Sequence, residues 1–378
     1  MIIIDSLTLI LCAVALLSAL LTPLMNPFFR RLRKEEPPTG SSPNVTILLV
    51  CNGDATALDE HLPHYLTQDY SGEYQVIVVG EKADAETVNV LKRYANDPKL
   101  YSTFIPESAR YMSRNKLAIT LGVKASEAEW IILSDPRCKP ESNQWLKEMA
   151  ARMDERTHMV LGYTRFADDA KAFHRFEHLH TALYLLRAAQ NGHAYRSNCM
   201  NLAFRKSDFM SRNGFLEYLK YSVGEYDFMV NKYASDGAAV VATAPETWLV
   251  ENALYDRSWQ NRHVYYQEIR KHLEGGHGLH LLFNTDQWLM HLNYLFLIGM
   301  GIFAGMTSRW ILLGVAVVAL AFTLTLRTLI GKKALKEYGV NLPAYQIVPF
   351  ELRILWHQLT TLIRYENADK YDFISHKG

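Results

Sequence analysis

The sequence predicts an α/β protein: a domain built on a mainly parallel sheet, attached to a membrane by one N-terminal and two C-terminal transmembrane helices. Three observations carry this. Apolar runs long enough to cross a bilayer lie near both ends of the chain. Between them, short β-branched runs alternate with stretches of helical spacing. A segment rich in proline, glycine and serine separates the first span from the first strand. Of 378 residues, 49% are hydrophobic and 21% charged, enough to bury a sizeable core and to exclude wholesale disorder. Forty basic residues against thirty-nine acidic ones leave a formal net charge of +1, so no global field favours nucleic acid, and none is expected as a partner. Cys12, Cys51, Cys138 and Cys199 form no C-x-x-C pair, which argues against a disulfide framework or zinc ribbon and for a reducing compartment.

The first apolar run, Ile2 to Met25, carries a single charge, Asp5; residues 1–26 are therefore expected to form a membrane anchor. Arg30, Arg31, Arg33 and Lys34 follow the run, whereas a cleaved signal peptide places its basic residues first, so the anchor is expected to be retained. The positive-inside rule puts that cluster in the cytosol and the N-terminus outside. Residues 27–44, with Pro37, Pro38, Gly40, Ser41, Ser42 and Pro43, read as a linker. At the other end, Trp288–Met306 and Trp310–Leu326 read as a helical hairpin over residues 286–330. Gly299, Gly301 and Gly305 suit close helix packing, and Arg327, Lys332, Lys333 and Lys336 return the chain to the cytosol. In the tail, residues 331–378, Ile347, Phe350, Ile354, Leu355, Leu359 and Leu362 recur at helical spacing, as in an interfacial helix or one packed on the α/β domain.

Residues 45–285 hold that domain. Strands are expected at Val45–Cys51, Gln75–Val79, Tyr101–Ile105 and Trp130–Ser134, with helices through Leu58–Leu66, Ala85–Tyr94 and Asn115–Ala125 between them. Ligands of open sheets bind outside the carboxyl ends of the strands. That singles out the loops Asn52–Asp54, Gly80–Asp84 and Asp135–Lys139.

The segments VTILLVCNGD, QDYSGEYQVIVVGEKAD, SRNKLAITLGVKASEAEWIILSDPRCKPES, GEYDFMVNKYASDG and RSWQNRHVYY, in that order, resemble the family-2 glycosyltransferases in their membrane-attached bacterial form, with a GT-A nucleotide-sugar domain. The resemblance implies inverting transfer from a UDP- or GDP-linked sugar to a hydroxyl of a lipid-linked or growing glycan acceptor, in cell-surface glycan assembly. The implied place is the bacterial inner membrane, with a cytosolic catalytic domain among membrane lipids. One hairpin is too little to build a polymer-conducting channel, so a single transfer is expected.

The resemblance also assigns residues. Asp135 matches the first position of the family's Asp-x-Asp, which holds a divalent cation, magnesium or manganese, against the diphosphate. The third position is Arg137, which removes a hard oxygen ligand and should weaken metal binding, while its guanidinium can itself neutralise phosphate. Asn52, Glu81, Asp84 and Lys116 fall at donor-side positions. On the acceptor side, Asp227 is favoured as general base, with Glu225 close behind, and one of the two is expected to stabilise the helix start. Trp259, Gln260 and Arg262 resemble a worn Gln-x-x-Arg-Trp signature, which places Arg262 beside the leaving diphosphate and Trp259 on the acceptor side. The stretch Asn198–Arg205 resembles the loop that shapes the acceptor pocket.

Two other readings compete. His174, Glu177 and His178 spell H-x-x-E-H, the spacing of an inverted zinc peptidase, for which Glu251 would be a third ligand. The altered Asp-x-Asp also fits a catalytically degenerate transferase fold kept as a membrane scaffold.

Overall fold

The computed structural model describes residues 5–33, 42–106, 113–234 and 239–374. Residues 34–41 of the expected linker, Lys34 among them, lie outside the described residues. The chain divides into two compact units, one of Met1–Arg31 with Gly276–Thr360, the other of Leu32–Gly275 with Thr361–Gly378.

Helix α1 (Ser6–Met25) opens the chain, and Asp5 is its N-cap, accepting a 2.9 Å hydrogen bond from the Thr8 amide. Strands β1 (Val45–Val50), β2 (Tyr74–Glu81), β3 (Leu100–Ile105) and β4 (Trp130–Ser134) then alternate with helices α2 (Ala55–Leu66), α3 (Ala85–Arg93) and α4 (Arg114–Ala125), in the expected order. There follow β5 (Cys138–Pro140), α5 (Trp145–Ala150), β6 (Met159–Gly162), β7 (Thr164–Phe166), α6 (Ala172–Gln190), β8 (Leu202–Arg205) and α7 (Lys206–Ser211). The larger unit continues through α8 (Glu225–Tyr233), β9 (Ala239–Ala242), β10 (Leu249–Glu251) and α9 (Asp256–Ile269). Last come α10 (His277–Met306), α11 (Trp310–Glu337) and α12 (Ile347–Glu366).

The main sheet has seven strands in the order β3-β2-β1-β4-β8-β6-β9, and only β8 runs antiparallel to its neighbours. Strands flanked on both sides must be apolar throughout, which is why VTILLV and WIILS read as unbroken runs rather than alternations. From β1 the chain steps outward through β2 and β3, then returns to pair β4 with the other side of β1. The crevice between the carboxyl ends of β1 and β4 is thus the topological switch point where such sheets bind ligands. A second sheet has three strands in the order β5-β10-β7.

Residues after Thr360 also belong to the larger unit. The Ser222 amide donates to the Phe373 carbonyl at 3.0 Å, Tyr221 bridges Ile374, and the Phe373 ring meets Tyr265 edge-on at 5.3 Å. Tyr365 donates its hydroxyl hydrogen to Glu268 on α9.

In the smaller unit α1, α10 and α11 are each long and apolar enough to cross a membrane. They meet through Ala15, Ala19, Ala304, Ala316 and Ala319, small residues that let helices approach closely. Of the glycines expected to do this, Gly301 faces Leu313 and Ala316 of α11, but a methyl placed on Gly299 or Gly305 would meet nothing within 4 Å. Arg327 also departs from expectation. Rather than flanking the span as a cytosolic charge, it is fully buried inside α11, its Nε 2.7 Å from Glu351 and its Nη2 3.4 Å from Asp286, while Nη1 donates to the Thr22 carbonyl at 2.8 Å. Asn26 donates to the same Glu351. A buried guanidinium persists only when paired in this way. Glu351→Ala is therefore expected to cost about 3–5 kcal/mol by removing the shorter of the two carboxylate contacts of Arg327 and leaving its Nε without a partner, whereas Gly299→Ala leaves stability unchanged; chemical unfolding in detergent distinguishes the two.

Candidate active site

The loop after β4 is fixed from beneath by α2. The Tyr65 hydroxyl donates to the Cys138 carbonyl and accepts from Ser134 Oγ, both at 2.8 Å. His61 Nδ1 lies 2.8 Å from the Pro136 carbonyl; a carbonyl can only accept, so Nδ1 carries the hydrogen and donates it, while burial lowers the pKa of the ring. The Asn252 amide donates to the Arg137 carbonyl at 2.9 Å. Asp-Pro-Arg is consequently a rigid turn.

Within that turn Arg137 grips Asp135. Nε donates to Oδ1 and Nη2 to Oδ2, each at 2.8 Å, and the Arg137 amide adds a third bond to Oδ1 at 2.9 Å. Burial disfavours the charged carboxylate, yet the Arg137 charge and its hydrogen bonds, aided by Arg262, hold Asp135 below its usual range. Asp54 lies 4.0 Å from Arg137 Nε. A second fork stands beside the first: Arg262 Nη2 is 2.5 Å and Nη1 3.2 Å from the carboxylate of Glu251, the fully buried end of β10.

The opposite wall is built by α8. Gly224, its N-cap, has φ +96°, a left-handed conformation that side-chain-bearing residues resist, and a Cβ there would sit 3.0 Å from Ile269. The turn sets Glu225 and Asp227 in the first turn of the helix, but their surroundings differ. Glu225 Oε1 is 3.2 Å from Nζ of the fully buried Lys116, which also donates to the carbonyls of Tyr221 and Val223 at 2.8 Å. Asp227 Oδ1 makes no hydrogen bond, the Arg196 guanidinium standing at 3.6 Å. Arg196 stacks on the Tyr266 ring at 3.7 Å. Burial, with the charge of Glu225 adding to it, pushes the Asp227 carboxyl up to about 6 against the opposing pull of Arg196 and the Ser197 amide.

Asp135, Arg137, Glu225, Asp227, Trp259 and Arg262 line one cavity of about 450 Å³. Asn198, Cys199 and Met200 of the expected pocket-shaping stretch line it as well, whereas the expected donor-side residues Asn52, Glu81, Asp84 and Lys116 do not. Asn52 is exposed at its edge, 3.4 Å from Asn115, which does. Glu81 is ion-paired with Arg114. Asp84 caps α3, accepting from the Thr87 amide at 3.1 Å and hydroxyl at 2.6 Å, which lowers its pKa. Lys116 lies beneath the site, its ammonium fully satisfied by Glu225 and two carbonyls. Trp259 is buried and stacks face to face on His174, ring centroids 3.9 Å apart.

That stack also bears on the H-x-x-E-H spacing. His178 Nε2 is bonded to the Thr164 carbonyl at 2.6 Å, Glu177 accepts from Thr181 at 2.9 Å, and Glu251 is held by Arg262. Among the described residues no group of three or more His, Cys, Asp or Glu side chains is placed to hold a metal ion. Sequence reasoning missed Arg196, which sits two positions before the flagged Asn198 in a segment without regular structure, and the pairing of Arg262 with Glu251.

Comparison with known proteins bears on the fold and the family. The mannosyltransferase PcManGT of Pyrobaculum calidifontis, solved with GDP-Man and Mn2+, is similar over 95% of this chain and 97% of its own, with TM-score 0.54 and 16% identity. S. aureus TarS (residues 1–349), solved with UDP-GlcNAc, aligns over 86% of this chain and 92% of its own, with TM-score 0.43 and 11% identity. No curated protein matches significantly. The fold is the GT-A fold that the sequence resemblance implied, and the reading of a family-2-like nucleotide-sugar transferase is supported. The model of glycosyl transferase family 21 matches residues 7–272, and the chain belongs to that family.

Proposed function

We propose that this glycosyltransferase moves a sugar from a UDP- or GDP-linked donor to an acceptor hydroxyl with inversion, Asp227 serving as the base. The observation that carries the reading is a single cavity with a buried, unbonded carboxylate oxygen on one wall and two guanidinium groups on the other. Asp227 takes the hydroxyl proton as the acceptor oxygen attacks the anomeric carbon. The bond to the diphosphate breaks, and the diphosphate departs with the electron pair. Arg137 and Arg262 face the charge that develops on it. Glu225, already engaged by Lys116, holds α8 in place.

The acceptor is proposed to be a lipid-linked or growing glycan, met at the cytosolic face of a bacterial inner membrane. The three apolar helices and the basic residues Arg30, Arg31 and Arg33 beyond the first of them support that placement. PcManGT was solved with Mn2+, and a divalent cation at Asp135 is the corresponding expectation here. The residues present do not fit one: both oxygens of Asp135 are already bonded to Arg137, and the third position of the motif is the guanidinium itself.

The test is transfer by the full chain in detergent, over a panel of UDP- and GDP-sugars with glycan acceptors. Asp227→Asn is expected to lower kcat by about 10²–10⁴-fold with donor binding retained; unchanged turnover would remove Asp227 from the mechanism. Because the base must be ionised, the rate should fall as pH drops through about 6. Arg196→Gln withdraws a charge that favours the ionised form, so the acid limb of its pH profile should move to higher pH.

A further inference from the structure

The donor wall is organised around fixed cations. Arg137 and Arg262 both line the cavity, and each is backed by its own carboxylate, Asp135 and Glu251. The formal charges of these four groups cancel, as a divalent ion and two carboxylates would. The forks leave donors over. A guanidinium has five N–H groups, and among the described residues neither Nη1 of Arg137 nor Nε of Arg262 makes a hydrogen bond. Their side chains remain 28% exposed in an otherwise buried site. Planar, permanently charged groups with free N–H edges match phosphate oxygens.

A metal ion would meet competition here. Magnesium-like ions demand near-octahedral oxygen ligands and shed water reluctantly. To take Asp135, such an ion must share a carboxylate whose two oxygens already accept three hydrogen bonds, all from residue 137, and must sit beside the guanidinium that makes them. That guanidinium is covalently tethered and the turn that bears it is held by Tyr65, His61 and Asn252, so it stays close and competes for the same carboxylate.

We propose that this site binds the diphosphate of its donor without a divalent cation, Arg137 and Arg262 supplying the positive charge that a metal would otherwise bring. The proposal rests on the nucleotide-sugar reading above and specifies how that donor is held. It also assigns a chemical purpose to the Asp-Pro-Arg turn: Asp135 acts as a positioning residue that aims Arg137, and Glu251 does the same for Arg262.

The experiment is calorimetric titration of the full chain in detergent with UDP and with GDP, in EDTA and in manganese. The affinities in the two buffers should agree within about threefold. Binding that requires manganese overturns the proposal and leaves the transferase reading intact. Failure of UDP, GDP, ADP, CDP and dTDP to bind in either buffer overturns both. Arg137→Asp rebuilds the second carboxylate; it should lose about 10–100-fold in EDTA and recover with manganese. Arg137→Lys, which keeps the charge without the fork, should lose less and remain indifferent to manganese, and it serves if the Asp variant does not fold. Wild-type affinity in EDTA for either variant overturns the role of Arg137.

Discussion

The cavity depends on the fork between Asp135 and Arg137. Each charge is buried far enough that neither is tolerable alone, and each hydrogen bond to a charged group contributes about 1.5–3 kcal/mol once its partner is in place. The pair therefore behaves as one rigid, nearly neutral object at the mouth of the switch point between β1 and β4. Glu251 and Arg262 form a second such object. Asp54 adds a carboxylate close by. A wall made of paired ions has little freedom to reorganise, which suits a step whose difficulty is charge appearing on a leaving group.

On the proposed reading the wall built by α8 faces the acceptor, and it solves a different problem. A base must be buried enough to be basic and open enough to receive a proton. Two acids on one turn of helix would repel each other in a dry site, and the structure separates them by giving Lys116 to Glu225 alone. Asp227 is left with Arg196 at ion-pair distance but outside hydrogen-bond reach. Within one turn, one carboxylate has become part of the scaffold and the other remains chemically open.

Much of this was legible in the sequence, for identifiable reasons. Parallel strands buried on both sides must be written as unbroken apolar runs, so β1, β2 and β4 stood out, and the loops at their carboxyl ends were marked by topology alone. Asp135 and Arg137 were visible because they end such a strand. Lys116 was visible as a charge but not as a buried one, since a lysine on a helix is by default solvated. Arg327 misled for the same reason, a cation after an apolar run being the usual mark of a membrane boundary. Glu251 closes a strand of three residues, too short for periodicity to register, and Arg196 lies in irregular backbone. Their roles follow from contacts across long sequence separations, which no local pattern encodes. The glycines of α10 show the converse limit: composition offers small residues, but only the fold decides which face of the helix they occupy.

The segment ending at Ile374 gives the larger unit a peculiar history. Tyr265 lines the cavity and leans on Phe373, while Glu268, one turn further along α9, is held by Tyr365. Those props are translated only after both helices of the C-terminal hairpin have been made. A nascent chain that has emerged through α9 carries every cavity-lining residue, yet the tail that packs against Tyr265 and Glu268 is still to be made. The order of synthesis thus places the first apolar helix before the α/β domain and the tail that braces α9 after the hairpin, so the larger unit is closed by the last residues to be made.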